Sequence, residues 1–371
     1  YCGKCGQNAG WQATAKSRGS ITETGTGSHC SGQGKRYFKK RCIKPIVKRM
    51  DFILSYYKYF QKMQKNIMNK IRLSLIIFSV CSLGCCFQSC AQSNGSAALY
   101  QSSVFTTPGS FTSGVEGPSV DKRGNVYAVN FSKQGTIGIV SPQGKAEIFI
   151  TLPDSSVANG SRFDMQGNMI LADYVGHNVF RVNMKTKQLS VVAHAPQMTQ
   201  PNDVAVDSRN HIYASDPNFK AGSGRFWRID TDGKVTLLDT LGPANGIEVS
   251  PDENRMYVAA ARTVWVYDLS AHGTVSNKRQ LIEFPDFGTD GMRCDVDGNL
   301  YVARIGKGVV AKVSPEGRLL REITLIGKKP TNVAFGGKDG RTVYVTLMDQ
   351  GNLESFRVDN PGREWKMQHN K

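Results

Sequence analysis

The stretch G288-T-D-G-M-R-C-D-V-D-G-N-L-Y-V-A303 ends as a β-strand: a Gly-Asn turn, then Leu300, Tyr301 and Val302. An acid, Asp290, stands against a glycine just ahead of it. Alone, Asp-Gly reads as turn chemistry, because both residues tolerate tight hairpin geometry. The same pattern recurs along the chain. D-K-R-G-N-V-Y-A-V starts at Asp121, D-M-Q-G-N-M-I-L-A at Asp164 and D-S-R-N-H-I-Y-A-S at Asp207. S-P-D-E-N-R-M-Y-V-A starts at Ser250, D-V-D-G-N-L-Y-V-A at Asp295 and G-G-K-D-G-R-T-V-Y-V-T at Gly336. Each copy is a turn followed by a strand, and the period is near 43 residues. Further turns follow at V-S-P-Q-G-K (Val140), I-D-T-D-G-K (Ile229) and V-S-P-E-G-R (Val313). Four short strands fit in each repeat, and no repeat has a long helical period. Units of this size with four strands are propeller blades. The sequence therefore predicts an all-β, six-bladed β-propeller, with the segment around Val104 and Phe105 pairing with the last blade to close the ring.

Five residues before each repeat start lie Glu116, Asn159, Asn202, Asn245, Asp290 and Thr331. Equivalent positions in a propeller take equivalent places around its axis. Six oxygen-bearing side chains should then converge at one end of the central channel. Carboxylate and amide oxygens suit a hard cation such as Ca²⁺. His177, His194, His211 and His272 fall at other phases, which argues against a nitrogen-rich zinc or iron site. No GxSxG stretch offers a serine nucleophile. Cys294 lies an even number of residues from Asp290, so an unbroken strand would aim it at the channel wall as a buried thiol. Trp227, Trp265, Tyr213, Tyr257 and Tyr301 lie on predicted strands and are expected in the core. Asp216, in S-D-P, either borders the site or makes a turn.

Charge and cysteine usage divide the 371-residue chain. Residues 1–93 hold 16 Lys/Arg against 2 Asp/Glu, and residues 94–371 hold 31 against 28. The globular part therefore carries no nucleic-acid footprint. Eight of the nine cysteines precede residue 91, so the globular part, with Cys294 alone, has no internal disulfide. Y-C-G-K-C at the start is half of a zinc motif without its second half. From Met68, a short basic region precedes the apolar run Leu73–Leu83, which suits a signal peptide. Two outcomes stay open: cleavage after Ala91, or lipidation of Cys90 in F-Q-S-C. Either implies export from a bacterial cytoplasm, to the periplasm or medium, or to the outer membrane on a lipid anchor. Membrane contact is expected only through this segment. Residues 1–67 include the basic run K-R-Y-F-K-K-R-C-I-K-P-I-V-K-R, lack an initiator Met and are expected to be translated upstream sequence. The expected organisation is thus 1–67 upstream, 68–91 signal and 92–371 propeller.

The stretches E-G-P-S-V, Q-P-N-D-V-A-V, S-D-P, A-N-G-I-E-V-S-P-D-E-N-R-M-Y-V-A, D-G-M-R-C-D-V-D-G-N-L-Y-V-A and P-T-N-V-A-F-G-G, in this order, resemble the SMP-30/gluconolactonase family (regucalcin-like) over roughly residues 114–358. The resemblance implies a six-bladed propeller with one divalent cation in its central channel: Ca²⁺ as the first expectation, Zn²⁺ or Mn²⁺ as alternatives. It assigns Glu116, Asn245 and Asp290 as metal ligands. Asn202 contacts the metal directly or through water and helps hold substrate, and Asp290 is the general acid/base. Gln200 stands where animal members carry a sugar-contacting Arg, and Asn159 is a substrate contact by phase. The implied activity is metal-dependent hydrolysis of a small sugar-type lactone. Two alternatives share the fold: another metal-dependent esterase or phosphotriesterase, and a non-enzymatic binding propeller with a structural cation. If the leader reading holds, the intact mass of the protein from its own host will exclude residues 1–67; a mass that includes them contradicts it.

Overall fold

The computed structural model describes Lys65 and residues 98–369 apart from Asp154. The signal segment 68–91, Cys90, Ala91, the cysteine pair at the start and the basic run all lie outside the described residues.

Each DxxGN copy folds as a turn built by its own first side chain. Asp121 Oδ1 accepts the amides of Arg123 and Asn125, and Asp164 Oδ1 those of Gln166 and Asn168. Asp207 and Asp295 repeat the arrangement. A short carboxylate that bonds the backbone two and four residues on nucleates a turn locally. In the other two copies Ser250 with Asp252, and Asp339, accept the turn amides instead, and the intervening β-branched and aromatic segments pair antiparallel. Six four-stranded sheets result.

The innermost strands are Ser119–Val120, Ala158–Phe163, Val204–Val206, Ala244–Val249, Met292–Cys294 and Pro330–Gly336, in blades 1 to 6. Each touches the innermost strand of the next blade, and blade 6 returns to blade 1. The ring closes as the sequence predicts. Ser103–Val104 forms the outer strand of blade 6, with Ser103 opposite Ser355 and Val104 opposite Glu354. The first strand thus completes the last blade, and no open edge separates them. Cores form between neighbouring blades. Tyr213 packs with Val249, Met256 and Tyr267 of blade 4, Tyr257 with Met292 and Leu300 of blade 5, and Tyr301 with Val333 and Phe335 of blade 6. Trp227 is also buried, whereas Trp265 is half-buried against its blade. Beyond the blades, a short helix α1 (Arg363–His369) follows the last strand.

Backbones of adjacent blades approach most closely at the channel. A Cβ on Gly246 would lie 2.4 Å from the carbonyl oxygen of Asp290, and one on Gly291 would lie 1.9 Å from Asn332 Cγ. Glycine follows the polar residue because the next blade occupies the space a side chain would need. Gly246→Ala should therefore lower stability by roughly 1–3 kcal/mol through overpacking against backbone. Urea denaturation checks this, and an unchanged midpoint would show that the seam can yield.

Candidate functional site

At the mouth of the channel each inner strand begins with an irregularity. The amide of Asp290 donates to Ala303 O at 2.9 Å, and the amide of Ala303 donates to Gly291 O at 3.0 Å. Two residues thus oppose one. Asn202 and Asp203 share Ser215 in the same way. In blades 2, 4 and 6 the register breaks at the same place, between Ala158 and Ser161, Ala244 and Ile247, and Pro330 and Asn332. These are β-bulges, which re-aim a side chain and recur beside active sites. The Asp-Gly and Asn-Gly pairs are therefore neither hairpin turns nor ordinary strand.

The bulges bring Glu116, Asn245 and Asp290 together. Glu116 and Asp290 are each 7% exposed and Asn245 is 9% exposed. The two carboxyl groups act directly on each other, and the Asn245 amide lies against Asp290. Burial pushes the Glu116 carboxyl up to about 8, and the nearby charge of Asp203 adds to this. Burial first, then the Glu116 charge, holds Asp290 well above the usual carboxylate range. The amide oxygens Asn202 Oδ1 and Asn245 Oδ1 are buried and have no hydrogen-bond partner among the described residues. The orphaned oxygen of Asn245 beside two mutually repelling carboxyls, with that of Asn202 at the same ring phase, makes a donor set that a hard divalent cation satisfies. Glu116, Asn202, Asn245 and Asp290 fit such an ion. Among the described residues no group of three or more His, Cys, Asp or Glu forms a metal cluster; this set is half amide.

Other expected residues lie as follows. Asn159 and Asn202 are half-buried at the same phase. Gln200 is half-buried, and its backbone N–H donates to Asp216 Oδ1 at 2.7 Å. Asp216 is a buried strut: it also accepts the Thr199 amide and the Trp227 indole and pairs with Arg225 at 2.9 Å. Thr331 does not join the ring. Its hydroxyl bonds Val115 O at 2.9 Å and Thr346 Oγ1 at 2.7 Å, tying blade 6 to the residue before Glu116. Cys294 does not face the channel either. It packs with Tyr257, Val264 and Leu300, its thiol 3.4 Å from Val249 O. The bulge at Asp290–Gly291 inserts one residue and reverses the parity of the strand, so Arg293 takes the inward position.

Several residues at the site are not apparent from the ring phase. Where four blades carry glycine, blades 3 and 6 carry Asp203 and Asn332, both fully buried beside Glu116. Buried Arg162 and Arg293 lie below them. Arg162 is 3.1 Å from Asp203, and Arg293 is 3.4 Å from Asp203 and 3.0 Å from Asn332 Oδ1. The two breaks in the glycine pattern were the available signal. Fourteen residues after the ring position, Asn130, Asp173, Asp216 and Arg304 each bond the loop that enters their own bulge, at Gly114 O, Val157 N, Gln200 N and Gly288 O.

A cavity of about 860 Å³ lies away from this ring, between blades 1 and 2 and α1, lined by Tyr127, Phe149, Phe163 and Arg363 among others. Its turn carboxylates Asp121 and Asp164 are already engaged by backbone amides. The convergent unsatisfied oxygens are at the other end of the inner strands.

A closed six-bladed propeller with an oxygen-lined channel mouth is the class that fold and site define. Residues 113–349 match the family model described as the SMP-30/Gluconolactonase/LRE-like region, and the chain belongs to that family. It is 34% identical over 154 residues to the pentonolactonase XacC of Haloferax volcanii, covering 40% of this chain and 53% of that protein. It is 26% identical over 216 residues to a gluconolactonase of Zymomonas mobilis, covering 51% of this chain and 60% of that protein. The chain thus spans between about half and three fifths of these curated relatives. In structure it resembles a calcium-binding regucalcin from Agrobacterium tumefaciens, with a TM-score of 0.60 and 21% identity over 70% of this chain and 95% of that one.

The raised carboxyls make a testable statement about pH. Unfolded Glu116 titrates near 4.5 and folded, metal-free Glu116 near 8. Between those values only the folded state keeps the proton, so stability falls as pH rises and levels off above the folded value. Asp290 acts in the same direction. The thermal midpoint in EDTA should fall from about pH 5 to about pH 8, and excess Ca²⁺ should remove the fall. A metal-free midpoint that is flat or rising over this range contradicts the assignment.

Proposed function

We propose that this chain hydrolyses a small sugar-type lactone at the channel mouth. The observation that carries the reading is the convergence of Glu116, Asn245 and Asp290, with buried unsatisfied oxygens on Asn245 and, at the same ring phase, on Asn202. Family membership and the lactonase activities named for relatives support it.

Glu116, Asn202, Asn245 and Asp290 would hold one divalent cation, Ca²⁺ first and Zn²⁺ or Mn²⁺ as alternatives. When bound, the cation supplies Lewis-acid polarisation of the lactone carbonyl and stabilises the developing oxyanion. The chain's own groups handle protons and position. Asp290 accepts a proton from the attacking water and returns it to the ring oxygen as the ester bond breaks, giving the open hydroxy acid. A carboxylate takes this role because no histidine shares the ring phase. Asn202 and Asn159 present amide groups to substrate hydroxyls. Gln200, a neutral side chain on the strut of Asp216, offers donor and acceptor rather than fixed charge.

Aldonolactone hydrolysis should vanish with EDTA and return when Ca²⁺, Zn²⁺ or Mn²⁺ is added. Asp290→Asn should lower kcat by roughly 10²–10⁴-fold and weaken cation binding at the same time. Full turnover by that variant, or turnover indifferent to chelation, overturns the reading.

A further inference from the structure

Below the ring the channel is filled by charge, and one of the charges comes from outside the blades. Helix α1 places Glu364 in the channel's far end. Its Oε1 lies 2.5 Å from Arg162 Nε and 3.8 Å from Arg293 Nε, and its side chain is 19% exposed. Both arginines are essentially fully buried and reach the inner strands of several blades. Arg162 bonds Ser161 O and Ile247 O, and Arg293 bonds Met292 O and Pro118 O. At their other ends they contact Asp203, and Arg293 contacts Asn332, the two side chains beside Glu116. The neighbouring Arg363 pairs with Glu248 at 3.6 Å and with Glu253 at 3.0 Å, and Glu248 lies 3.9 Å from Arg162.

The acids divide unequally among the three arginines. Arg363 has Glu248 and Glu253 as its own acids, whereas Arg162 and Arg293 share Asp203 on the ring side and Glu364 on the far side. Without Glu364 the Arg162/Arg293 pair would keep Asp203, at 3.1 and 3.4 Å, as its one shared carboxylate, in a buried setting where charge is poorly screened. The family match ends at residue 349, and Glu364 lies beyond it.

We propose that Glu364 is a positioning residue of the ring: it neutralises and orients the Arg162/Arg293 pair, and so sets the cation affinity of the channel mouth from its opposite end. The inference rests on the cation-dependent reading of the ring. The experiment is calorimetric titration of the full chain with Ca²⁺ alone. Glu364→Gln keeps the shape and removes the charge; its Kd should rise roughly tenfold or more. Glu364→Asp keeps the charge and should bind within about threefold of wild type. Lys366→Gln, exposed on the same helix, should match wild type. Should Glu364→Gln fail to fold, because it removes one of the carboxylates that the buried arginines share, Glu364→Asp still decides. A tenfold loss in a folded Glu364→Asp protein overturns the inference, as does wild-type affinity in Glu364→Gln. A wild-type chain that binds no Ca²⁺ instead overturns the functional reading on which the inference rests.

Discussion

The site depends on a single backbone device, the β-bulge at which each inner strand enters the channel. In an unbroken strand the polar residue and its successor would point to opposite faces, and every second residue would share a side. Placing Asp290 and Gly291 together against Ala303 breaks that rule. The first residue of the pair turns to the mouth, and the second meets the next blade at a distance only glycine allows. Closure of the ring by Ser103–Val104 then holds six such entrances at fixed separations. Without the bulges, Glu116, Asn245 and Asp290 would be side chains on three separate sheets rather than one donor set.

Buried charge organises what lies beneath. Two carboxyls forced together in a desolvated place resist ionisation, as the upward shifts of Glu116 and Asp290 express. Such a pair is costly as structure alone and useful when a cation completes it. The channel arginines face Asp203 and Asn332, not the ring acids. Had Arg162 or Arg293 reached Glu116 directly, an internal ion pair would satisfy the carboxylate. The geometry keeps positive side chains one layer away, so the ring carboxyls are met by neutral donors, the Gly117 amide at Glu116 and the Asn245 amide at Asp290, rather than by a cation.

The fold was legible because its turns are local. In four copies an Asp bonds the amides two and four residues on within its own segment, and with the looser turns at Ser250 and Gly336 in phase the repeats reveal six blades. Ring phase located Glu116, Asn245 and Asp290 for the same reason. Phase did not reveal that Thr331 spends its hydroxyl on the blade 6–blade 1 seam, since that bond joins residues more than two hundred apart. Nor did it place Cys294: parity counting fails across a bulge, whose presence depends on tertiary pairing. Asp203 and Asn332 interrupted the glycine pattern and could have been noticed. Glu364 sits outside any repeat, and its role exists only once the helix packs under the channel.

Anomalous diffraction from a crystal soaked in Mn²⁺ tests the central claim most directly. The account predicts one strong peak at the channel mouth, about 2–2.6 Å from oxygens of Glu116, Asn245 and Asp290, with Asn202 in the first or water-bridged shell. A fully loaded crystal with no peak inside the ring, or with its cation held elsewhere, would contradict it.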